Sequence, residues 1–311
     1  VSRSGRVLPR YPVYIPSKGR YENALTARAL AADGVPFRLV VEPQERAAYA
    51  ARFGEDRVLA LPFRDKGSVI PARNFIKDHS VAAGHARHWQ LDDNMRGFYR
   101  RWKGQRIHCR AGVALAAVED FADRYENVAI AGMNYDFFAP EGRKMAPFYR
   151  NVHVYSCTLF LNSLPHRWRG RYNEDTDICL QVLAAGWCTV LVNAFLVKKN
   201  CTMVMRGGNT SALYQGDGRL RMARALERVW PGVVTVKRRF RRPQHVVHDQ
   251  WRKFDTPLKR KPGAVPEGAG PDEYGMDLVQ VKQIRSEALR RLVADRLRRP
   301  DPPGQAASIS T

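Results

Sequence analysis

The chain has 311 residues, room for one large domain with appendages, and 44% of them are hydrophobic, which excludes global disorder. Lys and Arg number 52 against 30 Asp and Glu, and the resulting net charge of +22 makes a field that gathers polyanions, nucleic acid foremost. No apolar run approaches the length of a membrane span and no N-terminal stretch has the zones of a signal peptide, so a cytoplasmic protein with no membrane partner is expected.

Short apolar strands alternate with helical segments from the start. Val13–Ile15, Arg38–Val41, Arg57–Leu61 and Trp89–Leu91 read as strands, with helices at Asn23–Asp33, Glu45–Phe53 and Ala72–Ala83 between them. This order predicts an α/β fold, a parallel sheet with helices on its faces. A helix at Ala111–Tyr125 follows, then strands near Val128–Ala131, Thr158–Leu161 and Thr189–Asn193. The helix Thr176–Ala185 puts Ile178 and Val182 on one face and stops at Gly186. Arg206–Gly218 reads as a loop, Arg219–Val229 as a helix and Val233–Val236 as the strand that closes the domain.

Beyond it, Lys237–Lys261 is a basic run with interleaved aromatics: Arg238, Arg239, Arg241 and Arg242, then Trp251, Arg252 and Lys253. The expected plan is a flexible N-terminus (1–9), a catalytic domain (10–236) and a basic segment completing the site or contacting DNA (237–261). A Pro/Gly linker (262–272), an amphipathic helix (273–299) and a disordered tail (300–311) complete it. Residues 237–311 hold 17 basic and 9 acidic residues, so they supply +8 of the +22 and the body carries the other +14. The five cysteines are scattered, with no Cys-x-x-Cys pair, and read as reduced thiols.

In an open α/β sheet, ligands sit at the carboxyl ends of the strands, and polar residues gather there. The first strand ends in Pro16-Ser17-Lys18-Gly19-Arg20, the second in Glu42, and the fourth in Asp92-Asp93-Asn94, with Arg73 near a helix start. Adjacent carboxylates after a strand suit Mg²⁺ or Mn²⁺, although Asp93 or Asn94 can equally cap a turn. Asn173-Glu174-Asp175-Thr176-Asp177 opens an apolar helix, where a carboxylate can act as general base or simply favour the helix dipole. His245 and His248 are the histidines that follow this cluster, each a candidate contact for metal or phosphate. Gly207, Gly208 and Asn209 can close backbone amides over phosphates or form an ordinary connection. P-loop, nucleophile-elbow and dinucleotide-binding motifs are absent.

The order of these motifs resembles a GT-A glycosyltransferase over roughly residues 10–250. More narrowly, Tyr14-Ile15-Pro16-Ser17-Lys18-Gly19-Arg20, Gly207-Gly208-Asn209-Thr210, Gly216-Asp217-Gly218-Arg219 and Gln244-His245 resemble the TET-associated glycosyltransferases of bacteriophages. The resemblance implies a Rossmann-like, mixed and mainly parallel sheet with flanking helices, plus the basic C-terminal extension. It implies transfer of a sugar from a nucleotide-sugar, a UDP-sugar being the expected donor, to 5-hydroxymethylcytosine in double-stranded phage DNA, within the infected bacterium. Asp93 would be the chief metal ligand, Asp92 would touch metal or ribose, and His245 would add a metal or phosphate contact. Asn94 stands where many relatives carry a third carboxylate.

Asp175 would be the base, with Glu174 supporting it. Pro16, Ser17, Arg20, Glu42 and Arg73 would hold the nucleotide, Arg73 through phosphate or by locking the Asp pair. The basic run with Trp251 would grip DNA, and extrusion of the target base would present its hydroxyl. A transferase for polysaccharide or protein, a non-enzymatic DNA-binding scaffold and a nucleotidyltransferase are the alternatives. Oligomeric state is not legible.

Overall fold

Strand β1 (Val13–Pro16) has Val13, Tyr14 and Ile15 buried, the mark of a strand covered on both faces. The structure, a computed structural model, describes residues 7–64, 67–200, 207–208, 216–239 and 241–264. The chain divides into two compact units, Val1–Pro266 and Glu267–Thr311, and every described residue lies in the first. The expected C-terminal helix, the tail, most of the linker, Asn209 and Cys201 therefore lie outside the described residues.

After β1 come α1 (Leu25–Ala32), β2 (Arg38–Val41), α2 (Arg46–Phe53), β3 (Val58–Ala60), α3 (Ile70–Ala82) and β4 (Arg87–Leu91). A hairpin of β5 (Met95–Trp102) and β6 (Gln105–Cys109) follows, then α4 (Ala111–Asp123), β7 (Val128–Tyr135), β8 (Phe148–Arg150) and β9 (Cys157–Leu161). The rest is α5 (Glu174–Ala184), β10 (Cys188–Lys199), α6 (Gly218–Val229), β11 (Thr235–Arg239) and β12 (Arg242–Val246).

Ten strands make one sheet in the order β3-β2-β1-β4-β9-β7-β10-β5-β6, with β8 on β10. Strands β1 to β4 are parallel, β10 is parallel to β7, and β5, β8 and β9 run against the others. The expected α/β class and mixed, mainly parallel sheet with flanking helices are what the structure has. Helices α3 and α5 share one apolar cluster, where Ile70 and Ile178 meet Phe160 and Trp168, and α1 packs on α4. Among the described residues no helix is long and apolar enough to cross a membrane, and Cys109, Cys157, Cys179 and Cys188 are free thiols.

The chain turns outward from β1 through β2 to β3, then crosses back to place β4 on the other side of β1. That reversal opens a crevice between the carboxyl ends of β1 and β4. The same edge receives the ends of β7 and β10 and the beginning of β9, because Leu91 pairs with Cys157 and Tyr135 with Val197.

Three features differ from the sequence reading. The β5–β6 hairpin was not expected; its turn is Lys103-Gly104, both with positive φ, the two-residue turn that suits strand twist. Strand β10 runs on to Lys199, beyond the expected end at Asn193. The domain boundary expected at 236 falls inside β11, which pairs with β12 within the basic run. The following chain stays on the body as well: Lys259 O accepts from Glu126 N, and Tyr125 bridges to Arg260.

At the centre of the sheet Gly132 lets β9 come close. A Cβ there would lie 2.2 Å from the Cys157 carbonyl oxygen and 2.6 Å from Val154 Cγ1. Gly132→Ala is therefore expected to cost about 1–3 kcal/mol or more and to lower Tm by at least about 2 °C. A calorimetric Tm unchanged within about 1 °C would show that β7 and β9 are not held so tightly.

Candidate active site

The crevice is built on two acidic turns. In the first, Asp92 and Asp93 follow β4 and point to different partners. Asp93 accepts from Ser17 Oγ at 2.7 Å and pairs with Arg20 at 2.5 Å, while Tyr49 OH contacts Ser17 Oγ at 2.7 Å and accepts from Arg20 N at 3.0 Å. Asp92 accepts from Lys199 Nζ and Ser156 Oγ, each at 2.7 Å, on one oxygen and from Arg73 at 3.3 Å on the other. Thr26, at the start of α1, ties this turn down. Its hydroxyl donates to Asp92 O and accepts from Met95 N, and its N–H donates to Asp93 O. Burial would raise the Asp92 carboxyl, but Lys199 and Arg73 outweigh it and hold it below the usual carboxylate range.

Beside Asp93 lies the loop expected to hold a nucleotide. Pro16 ends β1, Ser17 is buried, and Lys18 Nζ pairs with Glu42 at 2.5 Å, a carboxylate that also accepts from Gln44. Gly207 and Gly208 come from nearly two hundred residues away to cover this loop. Gly207 O accepts from Arg20, Gly208 N donates to Lys18 O at 2.8 Å, and a Cβ on Gly207 would lie 2.5 Å from Gly19 O. The glycine here answers a close approach of two backbones.

The second acidic turn opens α5. Asn173, in the left-handed region at φ 52°, turns the chain into the helix and anchors it to Met222 O. The three carboxylates then separate in role. Asp177 accepts from Arg169, Gln181 and Trp230, a structural knot. Glu174 accepts from Arg73 Nε at 3.3 Å. Asp175 faces His153, whose Nε2 lies 3.2 Å from Oδ2, while Thr176 Oγ1 contacts His153 at 3.3 Å and His245 at 3.2 Å.

Burial raises Glu174, Arg73 opposes the rise, and the neighbouring Asp175 charge adds to it. Burial would raise Asp175 too, yet His153 and His245 hold it well below the ordinary range. Two adjacent carboxyls are thus pushed in opposite directions, Glu174 up and Asp175 down.

Arg73 joins the two turns. It is 5% exposed, and its guanidinium also donates to Gln90 on β4. Of the Asp pair it reaches Asp92, and it bridges that carboxylate to Glu174.

The expected metal group is not assembled. His245 sits with Asp175 and His153, apart from Asp92 and Asp93, and among the described residues no three His, Cys, Asp or Glu side chains are placed to hold a metal ion. All four oxygens of Asp92 and Asp93 already accept from Arg73, Lys199, Ser156, Arg20 and Ser17. Asn94 Oδ1 is buried without a hydrogen-bond partner, but one neutral oxygen does not make a divalent-cation site. The residues as arranged therefore do not fit Mn²⁺ or Mg²⁺.

Among the residues expected to contact DNA, Arg238, Arg239, Arg241 and Arg242 are exposed on the β11–β12 hairpin. Arg252 and Lys253 are exposed on the following 3-10 turn, and half-buried Trp251 stacks on His153 at 6.3 Å. The side chain of His248 lies outside the described residues.

Sequence reasoning missed His153, Tyr135, Ser156 and Lys199. His153 precedes the acidic cluster in the chain, and attention to the histidines after that cluster passes it over. Lys199 ends an apolar strand, a usable signal hidden by the underestimated length of β10. Ser156 carries a positive φ, 59°, and such strain collects at functional sites.

Removing buried Arg73 takes from half-buried Asp92 and Glu174 the cation they share. Arg73→Met is expected to cost about 3–5 kcal/mol in denaturant unfolding, and a loss below about 1 kcal/mol would show that the two turns do not depend on it.

Comparison with known proteins gives the site a family. No curated protein matches the chain. Among solved structures, mannose-1-phosphate geranyltransferase from Thermus thermophilus matches at 13% identity and a TM-score of 0.33, covering 80% of this chain and 97% of that one. Similarity that low bears on neither fold detail nor chemistry. A family model described as TET-Associated Glycosyltransferase matches residues 11–208, from β1 through the Gly207–Gly208 contact on the Arg20 loop. The acidic turns, the Arg73 bridge and the glycine-covered loop all fall within that match, and the chain belongs to the TET-associated glycosyltransferase family, whose members are enzymes that transfer a sugar.

Proposed function

We propose that the enzyme moves a hexose from a nucleotide-sugar, a UDP-sugar first among them, to the hydroxymethyl oxygen of 5-hydroxymethylcytosine in double-stranded phage DNA inside the infected bacterium. The observation that carries the acceptor half is the β11–β12 hairpin. Its exposed Arg238, Arg239, Arg241 and Arg242 offer a phosphate-binding face, and its second strand brings His245 to Thr176, beside Asp175. One element links a surface suited to a polyanion with groups suited to taking a proton.

The donor half rests on the crevice between β1 and β4. Ser17, Arg20, Glu42 and the Gly207–Gly208 segment line the side where a nucleotide would lie. Arg20, Arg73 and Lys199 supply fixed positive charge near the Asp92–Asp93 turn, where a departing diphosphate gains negative charge.

In the reaction, the hydroxymethyl oxygen bonds to the anomeric carbon. The bond from that carbon to the diphosphate oxygen breaks, and its electron pair leaves with the nucleoside diphosphate. The hydroxyl proton passes to the Asp175–His153 pair. A carboxylate held as low as Asp175 is a weak base by itself, and the His153 imidazole 3.2 Å from it offers the proton a second acceptor. One displacement from the face opposite the leaving group inverts the anomeric centre. No step is routed through Mn²⁺ or Mg²⁺, since the carboxylate oxygens are already taken by side-chain donors.

The deciding experiment incubates the protein with nucleotide-sugars and 5-hydroxymethylcytosine DNA, digests the DNA and weighs the nucleosides. A nucleoside heavier by one sugar is expected, and sugar found only on polysaccharide or protein would refute the acceptor. Asp175→Asn and His153→Gln are each expected to slow transfer by about 10²–10⁴ while the Kd for UDP stays within about threefold. Turnover near wild type in both would remove the pair from the chemistry. UDP binding followed by calorimetry is expected to be as tight in EDTA as in Mn²⁺, and tightening beyond about tenfold with Mn²⁺ would mean that metal displaces Lys199 or Arg20.

A further inference from the structure

A continuous line of rings runs from the surface to the Asp175–His153 pair. Its outer end is Phe137 and Phe138, on the 3-10 turn after β7, 51% and 55% exposed with centroids 4.5 Å apart. Both contact Tyr135, Phe137 at 5.0 Å and Phe138 at 5.8 Å with planes 26° apart. Tyr135 contacts Tyr155 at 4.6 Å, Tyr155 contacts His153 at 5.0 Å, and His153 lies nearly parallel to Trp251. The inner rings are fixed by hydrogen bonds: Tyr135 OH to Ser156 at 2.5 Å, Tyr155 OH to Asn134 at 2.6 Å and His153 to Asp175. The outer two have no polar atom to fix them.

Two adjacent exposed phenylalanines at the mouth of a catalytic crevice are costly in water and add nothing to the core, so their faces are there to meet something flat and apolar. Cations lie along the line, and the chain as a whole is strongly basic. Lys199 lies 5.3 Å from the Tyr135 ring, the chain carries +22, and the inner end of the line is reached by the strand that follows the hairpin arginines. Arg106, which donates to Asp136 O beside the phenylalanines, is itself paired with Asp136 and Glu141. Flat and apolar faces within a field for polyanions match an unstacked nucleobase better than a neutral sugar chain or an apolar protein segment.

We infer that Phe137 and Phe138 stack on a base of the acceptor strand next to the modified cytosine, holding the duplex open while that cytosine passes along the ring line towards Asp175. The inference rests on the DNA acceptor proposed above. A cytosine within a duplex cannot bring its hydroxymethyl group into a crevice without leaving the stack, and aromatic or apolar wedges are a general means of holding such a gap.

The test uses the full chain, UDP-glucose, UDP-galactose and UDP-N-acetylglucosamine as donors, and a duplex with 2-aminopurine beside a single 5-hydroxymethylcytosine. Wild-type protein is expected to brighten the 2-aminopurine and to transfer sugar. The double variant Phe137→Ala/Phe138→Ala is expected to raise KM for DNA at least about tenfold and to lose most of the brightening, with the loss falling on DNA rather than on KM for the donor. Because both rings are exposed, the variant is expected to fold. Phe138→Leu, which keeps apolar bulk but removes the ring face, is expected to weaken DNA use as well, and Phe138→Tyr to restore it. A KM for DNA within about twofold of wild type in both the double variant and Phe138→Leu would overturn the inference while leaving DNA as the acceptor. Transfer by the wild type to polysaccharide or protein, and none to this duplex, would overturn both.

Discussion

The buried guanidinium of Arg73 is the constraint on which the site depends. It reaches Gln90 in β4, Asp92 beyond it and Glu174 at the entry of α5, and so joins segments that lie 17, 19 and 101 residues away. A charge with 5% exposure persists only when it is paired, and here the pairing groups are the two acidic turns of the crevice. The planar fork of Arg meets three acceptors in different directions, which a Lys ammonium would not hold in register. The distance between the Asp92-Asp93 turn and the entry of α5 is thereby set within the core.

Around this bridge each acidic side chain of the two turns has a basic partner. Lys199, Arg20 and Arg73 face Asp92, Asp93 and Glu174, and Asp175 is answered by two imidazoles. The same arrangement separates the acidic groups functionally. Asp177 is spent on Arg169 and Trp230, Glu174 on Arg73, and Asp175 remains at the crevice beside His153. A run of three carboxylates in four residues, all favourable at a helix N-terminus, is sorted by what packs against each one.

Much of this was legible in local sequence. Pro16-Ser17 and Glu42 follow apolar triplets, Asp92-Asp93 follows Trp89-Gln90-Leu91, and the helix after Asn173 has a plain 3.6-residue stripe. Strand β5, rich in arginine, was not legible, and the arginine-led start of β4 was missed. Strand β5 reads Met-Arg-Gly-Phe-Tyr-Arg-Arg-Trp, and β4 begins with Arg87 and His88, both buried because Asp123, the Val128 carbonyl and Asn162 satisfy them. Basic composition hides a strand whenever its polar groups find partners inside, and only tertiary contacts reveal those partners. In the basic run after residue 236, expected to complete the site or contact DNA, the pairing of residues 235–239 with 242–246 was likewise not legible.

The sequence by itself determined the alternation of strands and helices, the acidic turns at strand and helix ends, and the excess of positive charge. Those are local matters of periodicity, capping and composition. Which cation answers which carboxylate was decided by the fold. Lys199 lies 107 residues from Asp92, and Gly207 lies 187 from Arg20. They meet because β10 is laid beside β7 and the chain turns back over β1, a strand order that many alternating sequences share and that only the packed core selects.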